Sequence, residues 1–109
     1  MSDNYTQKMI DHGVPEHLHD GLRLYLEHGV PPGSFLLAVL TNDLFEAMGR
    51  ADEESRRGLF NLVSFIYHAV PTSAWGTAEK VRAFMSERRA ERDAAREEAA
   101  GDPDIPVGR

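Results

Sequence analysis

The sequence predicts an all-α protein, a small bundle of about four helices followed by a polar, partly disordered C-terminal tail. Three observations support this fold class. Apolar residues recur at intervals of three and four, the spacing that places them on one face of a helix. Proline and glycine separate these segments in the order typical of helix starts and ends. The last two dozen residues have few large apolar side chains and therefore offer little to a core.

These features divide the chain into three parts. Residues 1–13 are predicted to be a flexible N-terminal segment, and residues 14–86 a helical bundle domain. Residues 87–109 are predicted to be a charged helical extension and a disordered tail. A domain of this size has a small core, and the chain has no cysteine for a disulfide. Association with another chain is therefore one of the remaining sources of stability.

The first two predicted helices are bounded by proline and glycine. The first runs from about Pro15 to His28, since proline suits a first helical position and Gly29 suits a helix C-terminus. The second runs from about Pro32 to Gly49. Its first half is apolar on nearly all sides, which is typical of a central helix.

The third and fourth predicted helices begin at capping residues. The third has Asp52 as its N-cap and ends before Pro71, and its apolar residues leave only a narrow polar strip. We expect such a helix to pack against other elements on more than one side. The connector that follows contains Trp75, whose large indole is expected to be buried against the bundle. The fourth helix begins after Thr77, another N-cap residue.

Charge disfavours a protein whose main task is to bind nucleic acid. The net charge is −6, from 18 acidic and 12 basic residues. The third helix has Arg56 and Arg57 at its start and no further cation, so we expect no direct DNA binding. The chain has neither an apolar signal segment near Met1 nor a long apolar run, which predicts a cytoplasmic protein that binds no membrane.

The residues that could perform chemistry are few. His17 and His19 lie two residues apart and point away from each other on a helix, so we expect no metal site and no cofactor. A polar cluster beside the apolar second helix contains the candidate acid–base pair of carboxylates. Its members are Asn42, Asp43, Glu46 and Arg50. An arginine one turn away can neutralise the carboxylates, so the cluster is either structural or functional.

Several short motifs resemble a known family. The run from His28 to Leu36 (HGVPPGSFL) is the most distinctive of them. The others are Asn42-Asp43-Leu44, Arg50-Ala51-Asp52 and Trp75-Gly76. Together they resemble short uncharacterised proteins that are encoded by phages and by bacterial genomes carrying prophages. The resemblance covers about residues 15–85 and implies a phage-type source, but it implies no particular activity.

The sequence favours a non-enzymatic helical protein that binds other proteins, as a phage-type accessory or regulatory protein. Its partner would be a second copy, forming a homodimer, or a host or phage protein. The candidate interaction surface consists of apolar residues that lie off the main helical stripes, namely Leu24, Phe45, Phe60 and Phe65. One alternative is a nucleic-acid-linked regulator or an acidic inhibitor of a nucleic-acid-binding protein. Another is a small enzyme that uses Asp43 and Glu46.

Overall fold

The computed structural model describes residues 4–100, with side chains for residues 5–97, and this part of the chain is all-helical. It contains seven α-helices, where about four were expected, and two short 3-10 helices, Glu16–Leu18 and Thr72–Ala74. The α-helices are α1 (Asn4–His12), α2 (His19–His28), α3 (Ser34–Leu40), α4 (Leu44–Arg50), α5 (Glu53–Arg57), α6 (Leu59–Ala69) and α7 (Ala78–Ala100). The predicted disordered tail, residues 101–109, lies outside the described residues.

One hydrophobic core receives buried apolar side chains from every α-helix except α5. Within it, α1 packs on α6, α2 on α7, and α3 on α4. The largest fully buried side chains are Met9, Leu22, Tyr25, Leu26, Leu40, Leu62, Phe65 and Val81. The hydroxyl of Tyr25 donates a hydrogen bond of 2.7 Å to the carbonyl oxygen of Ala74, so its polar end is satisfied inside the core.

Helix α1 corrects the expectation that residues 1–13 are a flexible segment. Met9 is fully buried, and the ring of Tyr5 meets the ring of Phe65 edge-on at 6.4 Å. The amide of Asn61 donates a hydrogen bond of 3.2 Å to the carbonyl of Gly13, which holds the end of the segment against α6. A helix this short is marginal alone, and packing on α6 stabilises it.

The second predicted helix is interrupted at Asn42, which has a left-handed backbone with φ of 68°. Before the break, the hydroxyl of Thr41 donates to the carbonyl of Leu37 at 2.8 Å. After it, the side chain of Asp43 accepts the backbone N–H of Glu46 and caps α4. Asparagine tolerates this backbone conformation, and aspartate offers the new helix a cap, so α3 and α4 are separate helices.

The third predicted helix is divided at Gly58. The side chain of Pro15 lies where a β-carbon on Gly58 would be, so the close approach of these two segments requires glycine there. The predicted N-cap before α5 is confirmed, because Asp52 Oδ1 accepts the backbone N–H of Ser55 at 2.7 Å. The result is the short helix α5 followed by the longer α6.

Helix α7 begins directly after Thr77, as predicted, and continues to Ala100, the last described residue. Thr77 Oγ1 accepts the backbone N–H of Lys80 at 3.1 Å. The charged extension is not wholly solvated, because Arg88 donates from Nε to the carbonyl of Leu26 at 3.0 Å and lies 4.9 Å from the ring centre of Phe84. Among residues 4–100, no helix is both long enough and apolar enough to span a membrane.

Candidate interaction site

An apolar groove of about 240 Å³ lies between α4 and α6. The break at Asn42 separates α4 from α3, and Asn42 and Asp43 of this turn line the groove. Trp75 lies in the groove wall, supplied by the connector between α6 and α7. The lining is formed by Val39, Asn42, Asp43, Leu44, Ala47, Leu59, Val63, Ile66, Tyr67 and Trp75.

Large apolar side chains beside this groove remain exposed. Phe45 is 88% exposed and Phe60 is 80% exposed, and four further residues are between 41% and 67% exposed. All six lie on α4 or α6, and we call them the apolar face. The apolar face consists of Leu44, Phe45, Met48, Phe60, Val63 and Tyr67. Scattered apolar residues are normal on a protein surface, but six large ones on two neighbouring helices indicate a binding surface.

Helix α6 presents this surface without any charge. Its sequence, LFNLVSFIYHA, contains no Asp, Glu, Lys or Arg, and its one histidine, His68, bonds to the carbonyl of Ser64 at 2.9 Å. On α4 the only full charges are Glu46 and Arg50. They form an ion pair of 2.6 Å, so they compensate each other. Among the groove-lining residues only Asp43, the cap of α4, is charged, so the apolar face has little local net charge although the chain carries −6.

The four predicted surface residues have different environments. Phe45 and Phe60 are among the most exposed apolar residues described, whereas Leu24 is only partly exposed. Phe65 is 0% exposed, so its assignment to the interaction surface is wrong. It is a core residue because α1, which the sequence did not predict, covers it with Tyr5 and His12.

The predicted polar cluster is close together but its members have structural partners. Asp43, Glu46 and Arg50 border one shallow cleft between α3 and α4. Asp43 caps the helix, and Glu46 pairs with Arg50. Asn42 supplies the left-handed residue of the α3–α4 turn. These structural roles explain the positions of all four residues, and none of the positions requires a catalytic role as its explanation.

A second polar cluster, which the sequence analysis did not predict, joins the first 3-10 helix to α5. His17 Nε2 lies 3.0 Å from Ser55 Oγ and 3.5 Å from Asp52 Oδ2, and its Nδ1 lies 3.7 Å from Glu54 Oε1. The backbone N–H and then the hydroxyl of Ser55 hold the pKa of Asp52 below its usual value. The N-cap pattern at Asp52 was visible in the sequence, but its contact with His17, 35 residues earlier, was not.

This cluster contains a serine beside a histidine and carboxylates, but the serine is inaccessible. Ser55 is 3% exposed and occupies the first turn of α5, where Asp52 and His17 both contact its hydroxyl. A nucleophile must reach a substrate carbon, and Ser55, although it lines an open pocket with His17 and Asp52, is almost wholly covered. The cluster therefore attaches Glu16–Leu18 to α5. Among the side chains that the structure describes, no three His, Asp or Glu residues are placed to hold a metal ion.

Trp75 is partly buried and fixed in position. Its indole Nε1–H donates to the carbonyl of Val70 at 3.3 Å, and its ring lies 6.1 Å from that of Tyr67. It packs against the core with one side and lines the groove with the other.

Comparison of the chain with protein-family models, curated proteins and solved structures gives no match.

Proposed function

We propose that this chain is a non-enzymatic protein–protein interaction module that works as a twofold homodimer through the apolar face of α4 and α6. The observation that carries the proposal is the exposure of Phe45 and Phe60 on the two helices that line an apolar groove. The phage-type accessory role is part of the proposal and rests on the sequence resemblance alone.

The exposed area matches what an interface between two copies requires. At about 200 Å² per aromatic side chain, Phe45, Phe60 and Tyr67 leave roughly 450 Å² of apolar area in water. Leu44, Met48 and Val63 raise this to roughly 700 Å², more than the 300–600 Å² typical of the largest patch on a monomer. A stable complex buries about 800 Å² on each partner, so a second copy would cover this face almost completely.

Charge also favours a second copy at this place. Two copies with a net charge of −6 repel each other, so their contact is most favourable where carboxylates are fewest. Helix α6 has none, and Glu46 on α4 is paired with Arg50. A twofold contact can cover such a face with one copy of itself.

The alternative functions have less support from the site. A nucleic-acid interface needs cations that contact phosphates, and α6 has no Lys or Arg. An enzyme that uses Asp43 and Glu46 would need these carboxylates to be free in a closed site. Both are exposed, and they are engaged in a helix cap and an ion pair.

Light scattering across a concentration series tests the dimer. We expect the mass to rise to that of two chains between about 1 and about 100 µM, the range in which association free energies near −8 to −5 kcal/mol become visible. Phe60→Asp should keep the protein monomeric, because it places a carboxylate in an apolar contact.

Ile10→Asp is the matched control. Ile10 is also an exposed apolar residue, but it lies on α1, a helix that contributes no residue to the groove. This variant should dimerise like the unmodified chain, and circular dichroism should show unchanged helicity in both variants. A strict monomer throughout the series, or a Phe60→Asp protein that still dimerises, would contradict the proposal.

A further inference from the structure

The exposed residues of α6 form a single stripe along the helix. Phe60, Val63 and Tyr67 are spaced by three and four residues and therefore lie on the same side. Leu62, Phe65 and Ile66 of the same helix are buried in the core. One face of α6 thus completes the bundle, and the opposite face carries a second apolar stripe that is only partly covered by the described residues.

Helix α6 is suited to lie across the symmetry axis of a dimer. A residue on a twofold axis meets its own copy, so a charged residue there meets a like charge. Helices α4 and α7 both contain acidic and basic residues, whereas α6 contains none. Helix α3 also lines the groove and is also uncharged, but it has no exposed large apolar residue, so α6 is the groove-lining helix that can pack on itself without repulsion.

The stripe is also symmetrical about its middle. Phe60 and Tyr67 are seven residues apart, about 10 Å along the helix axis, with Val63 and Ser64 midway between them. When two such helices pack antiparallel about that midpoint, each Phe60 comes opposite the Tyr67 of the other copy. Val63 and Ser64 then come opposite each other beside the axis.

We propose that α6 packs antiparallel on the α6 of a second copy, with the axis beside Val63, and that each copy's Phe60 enters the other copy's groove against Tyr67 and Trp75. This inference rests on the proposed dimer and adds its geometry. The groove, of about 240 Å³, is thereby completed by a residue of the partner subunit.

The wall that receives Phe60 is already ordered. Trp75 is held by its hydrogen bond to Val70, and its ring is tilted by 52° to that of Tyr67. The two rings form an aromatic wall, on which an incoming phenyl ring can pack edge-on or offset. Little ordering of the wall is needed on binding, which favours this site as the centre of the interface.

Cysteine crosslinking tests the arrangement, because the natural chain has no cysteine and gives no background. Val63→Cys should form a disulfide-linked dimer under mild oxidation, since positions beside the axis of packed helices approach to about 5–6 Å between α-carbons. Tyr67→Cys lies about 10 Å from its own copy along the axis and should crosslink poorly. Ile10→Cys, on α1, is a second control that should not crosslink.

A comparison of two exposed phenylalanines tests the role of Phe60. Phe60→Ala should weaken dimerisation about tenfold or more, as truncation of a central interface residue does, and Phe45→Ala should weaken it less than Phe60→Ala does. A dimer in which Val63→Cys does not crosslink, or in which Phe45 matters more than Phe60, would overturn this geometry and leave the proposed function standing. A strict monomer would overturn both.

Discussion

Replacing Gly29 with alanine should destabilise the protein by separating α7 from α2. Gly29 ends α2 with a left-handed backbone, φ of 70°. A β-carbon there would lie 2.5 Å from the carbonyl oxygen of Met85 and 2.9 Å from the β-carbon of Arg88. The oxygen belongs to the backbone of α7, so relief of the clash requires the helix to shift. Such a shift disturbs Phe84, which α7 holds in the core.

Two penalties combine in this substitution. A left-handed backbone costs a residue with a β-carbon about 1–2 kcal/mol. Forced overpacking of a close contact costs a further 1–3 kcal/mol or so. We therefore expect Gly29→Ala to lower the free energy of unfolding by about 2–5 kcal/mol. For a domain of this size, each 1 kcal/mol lowers Tm by roughly 4–8 °C, so Tm should fall by about 10 °C or more.

Gly49→Ala is the matched control, with the same chemical change and the opposite expected sign. Gly49 lies inside α4, and a β-carbon there would meet nothing within 4 Å. Because alanine favours a helix, the variant should be more stable by about 0.5–1 kcal/mol. Urea unfolding followed by circular dichroism measures both variants. A Gly29→Ala protein within about 0.5 kcal/mol of the unmodified chain would refute the reasoning.

Four further predictions concern the core, the connector and the charged extension. Tyr25→Phe should cost about 1–2 kcal/mol in thermal unfolding, because the buried carbonyl of Ala74 loses its donor. Burial raises the pKa of Tyr25 in the folded chain, so as the pH rises the unfolded chain loses the phenol proton before the folded chain does. The free energy of unfolding should therefore fall above about pH 10, the ordinary pKa of tyrosine. Trp75 should show blue-shifted emission and weak acrylamide quenching, and emission like that of free indole would contradict its partial burial. Removing the residues after Arg89 should lower stability by less than about 1 kcal/mol in a thermal melt, since the described residues beyond it contribute no buried apolar side chain.

Several features of the fold could be predicted because their causes are local. The end of α2 at Gly29, the cap at Asp52 and the cap at Thr77 each depend on residues within one turn. The break at Asn42 also has a local cause, but the apolar stripe on both sides of it suggested one continuous helix. A left-handed asparagine followed by a capping aspartate outweighed that stripe.

Other features depend on contacts between distant segments. Gly58 interrupts a helix where Pro15, 43 residues earlier, packs against it. The contact of His17 with Ser55 has the same origin. Neither contact leaves a periodic signal in the sequence, because each requires the bundle to be assembled first.

The sequence by itself determined that the protein is helical and that α6 has more apolar residues than one buried face can use. Only the tertiary structure decided which of its phenylalanines is core and which is surface. Phe65 and Phe60 are the same residue type, five positions apart on one helix. Helix α1 folds back and covers Phe65, so it is fully buried, while Phe60 remains 80% exposed on the opposite face. The spacing of residues along a helix fixes their relative directions, but the neighbouring elements decide which direction becomes the interior.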